Sequence, residues 1–159
     1  MGPASGTRVT LSGIFLMLLA AVFAHSGDDQ SGSGDDANRK FNADLSFAQV
    51  VHVEAAEVSA GVWRFAVTVR HNDEGWDHYA DAWQVIDPES EKILGERILA
   101  HPHDNEQPFT RSQSGINIPA ETTRVIVRAK CNVHGFGGRE ILVDLSHSEG
   151  EDYRLQRRR

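Results

Sequence analysis

Residues 62–70 read VWRFAVTVR. Trp63, Phe65, Val67 and Val69 fall on one side of an extended chain, and Arg64, Thr68 and Arg70 on the other, because successive side chains of a strand point to opposite faces. Aromatic and β-branched residues suit such a half-buried, pleated surface. The same two-residue period recurs over 48–58, 79–86, 93–99, 112–118, 123–131 and 140–145. Reversal signals separate these runs: Ser59-Ala60-Gly61, Asp87-Pro88-Glu89-Ser90, Pro119-Ala120-Glu121 and residues 135–138. No stretch sustains a 3.6-residue apolar period, so the chain is expected to be all-β.

About seven short strands in about 100 residues predict a single antiparallel β-sandwich. Trp83 sits in the third run, where such sandwiches bury a tryptophan, and the sixth run with its loop reads VIVRAKCNVHGFGG. With these features the segment resembles immunoglobulin and fibronectin type III domains, a likeness that implies a fold and assigns no function.

The flanks are read from composition. Residues 1–24, MGPASGTRVTLSGIFLMLLAAVFA, place Arg8 ahead of an apolar run that closes on Val22-Phe23-Ala24, the pattern of a cleaved secretory signal peptide. The run is shorter than the roughly 20 residues a permanent membrane helix needs, so no transmembrane anchor is expected after cleavage. Residues 25–40, HSGDDQSGSGDDANRK, lack large apolar side chains and read as a flexible linker. The sandwich domain is expected over 41–147 and a polar and basic tail over 148–159. The expected location is the periplasm or outside the cell. A net charge of −7 argues against nucleic acid as a partner. Cys131 is the sole cysteine, which rules out an internal disulfide.

In an up-and-down sandwich, alternate connections share a pole. The connections after the first, third and fifth strands are short and ordinary. Those after the second, fourth and sixth are HNDEGWDH, AHPHDNEQPFTR and NVHGFGG, which gather His71, His78, His101, His103 and His134 at one end. Imidazole suits copper and zinc, and the five histidines form the pool from which metal ligands are drawn. Asp73, Asp77, Asp81 and Glu106 are candidate ligands or acceptors that orient imidazoles. Cys131 and His134 are close enough in sequence to contribute from one loop, but Cys131 is in phase with Val125, Val127 and Ala129, which points it to the core as a small hydrophobe.

A second reading of the same rim needs no metal: histidines, acids and arginines hydrogen-bond to hold the loops, and Trp76 and Phe136, projected by flanking glycines, either cap the core or stack on a ligand such as a sugar ring. Cleavage after Ala24 would leave His25 as the mature N-terminus, and an amino-terminal histidine can chelate copper through its amine and ring, although a ligand on a flexible arm must lose entropy to bind. No nucleophile elbow, phosphate loop or HExxH helix occurs, and the enzyme question stays open with binding favoured.

The phrases HNDEGWDHYADAWQV, HPHDNEQPFTRS and VHGFGG together resemble a group of small exported bacterial proteins of unassigned activity, over about residues 60–145. The resemblance implies a compact exported domain and transfers no catalytic residue. The sequence thus leads to an exported binding protein holding copper or zinc at the histidine rim, or alternatively to a metal-free module gripping a protein or glycan with that rim.

Overall fold

The computed structural model describes Gly2 and residues 44–158; the rest of the expected signal peptide and the whole expected linker, His25 included, lie outside the described residues. Ten strands occur, β1 (Gln49–Ser59), β2 (Val62–Arg70), β3 (Ala80–Ile86), β4 (Ile93–Ile98), β5 (Phe109–Asn117), β6 (Arg124–Cys131), β7 (Gly135–Phe136), β8 (Ile141–Asp144), β9 (Glu149–Gly150) and β10 (Tyr153–Gln156), and no helix is present among the described residues. One sheet has the order β5-β2-β1-β10-β9; the other has β4-β3-β6, with β7 and β8 both pairing along the free edge of β6. The expected sandwich is what the chain forms. Its first, second and fifth strands share one sheet and its third, sixth and eighth the other, as in an immunoglobulin-type partition, with β4 beside β3.

The period read in β2 decides its packing. Trp63, Phe65, Val67 and Val69 are at most 3% exposed and join Val50, Val53, Trp83, Val85, Val125, Val127, Ile141 and Val143 between the sheets. Every pairing among these strands is antiparallel except that of β1 with β10, which runs parallel with Val53 opposite Tyr153 and Ala55 opposite Leu155. This corrects the expectation of a solvated tail over 148–159. Tyr153 and Leu155 bury against the core, Arg139 pairs with Asp152, and the Arg157 guanidinium donates to the Leu145 carbonyl and lies over Trp63 at 5.6 Å. Charge density around two apolar residues disguised a strand, because its pairing with the far end of the chain is invisible in local composition.

The antiparallel runs bring the connections after β2, β4 and β6 to one pole. The His71 amide donates to Gln107 Oε1 (3.0 Å), the His103 amide to Asp73 Oδ2 (2.6 Å) and the Tyr79 amide to Asn132 Oδ1 (2.9 Å). The segment ahead of β1, Asp44 to Ala48, lies across the same pole. The Asn72 amide donates to the Leu45 carbonyl (3.3 Å) and Gln49 Nε2 to the Asp44 carbonyl (3.0 Å). Gly138 fits beneath this strap, since a Cβ there would stand 2.1 Å from the Ala48 carbonyl oxygen.

Candidate metal centre

The inward phase of β2 does not stop at Val69. His71 and Asp73 continue it past the strand end, and both side chains are fully buried. Asp73 Oδ1 lies 2.6 Å from His71 Nδ1 and accepts the Ala80 amide (3.0 Å), while Oδ2 accepts the His103 amide. Burial works against charge on Asp73, but the His71 ring and the two amides together outweigh it and hold the carboxyl below its ordinary range. An ionised Asp73 only accepts, so the ring proton of a neutral His71 stands on Nδ1 and the lone pair on Nε2. That Nε2 faces another acceptor, the Ser46 carbonyl, at 3.3 Å. A neutral imidazole between two acceptors has one proton for two places, which leaves the Nε2 lone pair as a candidate metal donor.

β6 supplies the sulfur. Cys131 is buried in phase with Val125, Val127 and Ala129, as expected, yet as the last residue of the strand it sets Sγ 3.5 Å from the same Ser46 carbonyl. Asn132, Val133 and His134 then turn the chain back so that Gly135, at φ +69°, pairs with Cys131. A left-handed residue closes such a three-residue hairpin, and glycine takes that conformation without strain. The turn brings the His134 amide to 3.1 Å and His134 Nδ1 to 3.5 Å from Cys131 Sγ. Two donors at about 2.0 and 2.3 Å on one tetrahedral ion stand about 3.5 Å apart.

His78 enters from the loop between β2 and β3. Its Nδ1 is 3.6 Å from Glu74 Oε2, and its buried Nε2 has no hydrogen-bond partner. The ring meets His71 edge-on at 4.6 Å and His134 edge-on at 4.9 Å. One donor atom from each of His71, His78 and Cys131 lies within 4.8 Å of the others. Tetrahedral ligands are closer, about 3.3–3.6 Å, so an ion held by all three would have to draw these atoms inward by about an ångström. His78 and the exposed His134 also line an outward-facing depression with Asp44, Leu45, Ser46, Asn72 and Glu74, two of them carboxylates.

The five-histidine pool therefore divides. His71 and His78 meet Cys131, with His134 beside them, whereas His101 and His103 form a separate pair with ring centroids 4.5 Å apart. His103 is 3% exposed and stacked on Phe109 at 3.8 Å; both its nitrogens lack hydrogen-bond partners, with Asp73 Oδ2 and Glu106 Oε1 at 3.9 and 3.8 Å. Burial, reinforced by Arg111 and His101, pushes its pKa below the ordinary histidine value. His101 is exposed, its Nδ1 2.9 Å from the Pro102 carbonyl oxygen. Among the candidate acceptors, Asp81 pairs with Lys130 (2.6 Å) and Glu106 with Arg111 (2.5 Å). Asp77 is exposed and uses its carbonyl for Asn132. Trp76 is 66% exposed against Tyr79, and Phe136 lies under the Arg128 guanidinium at 4.1 Å. The sequence reading left Cys131 out of its metal set, although a cysteine at a strand end three residues before a rim histidine was the signal for it. Nothing in the sequence marked Ser46.

No protein-family model matches the chain. A protein of Halomicrobium mukohataei named "Putative lipoprotein" is 39% identical over 124 residues, 78% of this chain, and the chain spans 59% of that protein's length. Among solved structures, a reduced-form superoxide reductase (neelaredoxin) of Archaeoglobus fulgidus aligns over 62% of this chain and 86% of its own, at 17% identity and a TM-score of 0.35. At that score the likeness carries no argument about fold or site.

Proposed function

We propose that this is an exported binding protein that holds a transition metal, copper or zinc, at His71, His78 and Cys131, with His134 beside the sulfur. The observation that carries the reading is the inward aim of three donors of the right chemistry: His71 Nε2, freed by the Asp73 bond to Nδ1, the buried and unpaired Nε2 of His78, and Cys131 Sγ. Imidazole and thiolate together select copper and zinc over the hard, oxygen-seeking cations. A buried carboxylate on the far nitrogen of a ligating imidazole is the usual outer partner of such a site. In this reading His101 and His103 are not ligands; they support the site through the His103 amide on Asp73. Export is supported by the leader-like residues 1–24 and by the name of the Halomicrobium relative.

Elemental analysis and metal titration of the purified protein test the reading. One copper or zinc per chain with affinity tighter than micromolar is expected, reduced at least tenfold by Cys131→Ala or His78→Ala. An absence of bound metal together with unaltered weak affinity in both variants overturns it. Trp76, two-thirds exposed in a depression it shares with His101 and His103, keeps a second reading in play, a glycan- or protein-binding rim. Partner binding that survives chelation and is lost in Trp76→Ala favours that reading.

A further inference from the structure

Resting on the metal-binding reading, we infer that the centre is a one-electron copper site rather than a structural zinc site. Three observations separate the two. First, the close group consists of three donors, two imidazoles and one sulfur; His134 stands outside that group of three although its Nδ1 approaches the sulfur. Structural zinc takes four strong donors in a tetrahedron. Two histidines and a cysteine with a weak axial oxygen are instead the donor pattern of copper that exchanges electrons.

Second, a backbone oxygen that could supply the weak further contact stands beside the group. The Ser46 carbonyl is 3.3 Å from His71 Nε2 and 3.5 Å from Cys131 Sγ, and the strap is fixed by the Asn72 amide on Leu45 and Gln49 on Asp44. Third, the His134 amide donates to Cys131 Sγ at 3.1 Å. An amide on a thiolate withdraws electron density from the sulfur and tunes the potential of the metal it binds. Cys131 and His71 are buried, while His134 carries the centre's edge to solvent. A copper ion held by the buried donors would thus lie one ring, His134 against the sulfur, from solvent.

The chemistry balances simply. Loading releases the thiol proton of Cys131, and the sulfur stays a thiolate in both states. Cu(II) then accepts one electron from an external one-electron carrier to give Cu(I), with no bond to the protein made or broken, and returns it to an acceptor of the same class.

The test uses the full chain, loaded in parallel with Cu(II) and Zn(II). Cu(II) is expected to give an intense visible sulfur-to-copper charge-transfer band and a compressed copper hyperfine pattern in electron paramagnetic resonance. Ascorbate should bleach the band and ferricyanide restore it, cycle after cycle, at one electron per copper. Because Cys131 is the sole cysteine, the band reports on this centre alone. Cys131→Ser should abolish the band, and the resonance of the unaltered protein gives an answer even if that variant does not fold. If metal binds but Cu(II) shows no such band, or oxidises Cys131 in a single turnover, the redox assignment is overturned and metal binding stands. If neither metal binds, both fall.

Discussion

Asp73 is the residue on which the most geometry converges, because one buried carboxylate orients His71 and, through the His103 amide, anchors the β4–β5 loop. Replacing it by asparagine keeps the shape and removes the charge. Asp73→Asn is expected to weaken metal affinity roughly 10- to 100-fold, the usual effect of losing such an outer partner. Titration against a chelator of known strength checks this, and unaltered affinity would mean that Asp73 serves the loop alone. His103 belongs to the same scale. Its pKa is lowered in the fold, so on acidification the unfolded chain takes the proton first, at about pH 6.5. Stability linked to His103 is therefore complete above about pH 6.5 and is lost as pH falls toward the folded value. His103→Phe, which keeps a ring against Phe109, should flatten the fall in melting temperature of chelator-treated protein between about pH 7.5 and 5.5. An equal slope in both proteins would rule out His103 as its source.

At the scale of elements, legibility followed the range of the interaction. β1, β2, β3 and β6 announced themselves because burial on one face writes a two-residue period into the strand itself. The same rule, carried past the strand ends, points His71 and Asp73 inward behind Val69 and Cys131 inward behind Ala129, so part of the centre was legible in phase. β10 was not. Its two apolar residues are set by a parallel partner about a hundred residues earlier in the chain, and flanking charges hid them. Leu155→Asp, which buries an unpaired charge at a position 7% exposed, is expected to cost about 2–4 kcal/mol in urea denaturation. A loss below about 0.5 kcal/mol would return residues 148–159 to the solvated tail that the composition suggested.

For the whole molecule, the antiparallel path gathers the loops after β2, β4 and β6 at one end, and this much followed from counting strands. Which imidazoles share a point did not follow, because loop depth is decided by side-chain packing that no periodicity encodes. His103 turned onto Phe109 and His78 onto His71, although both came from equally polar loops. The strap lay outside any such reasoning, since Ser46 contributes a backbone oxygen and its side chain carries no hint of that role. It also ties residues 44–48 to the candidate centre: one backbone oxygen stands against both a sulfur and an imidazole, so a shift of this strap is felt by two of the three grouped side chains at once.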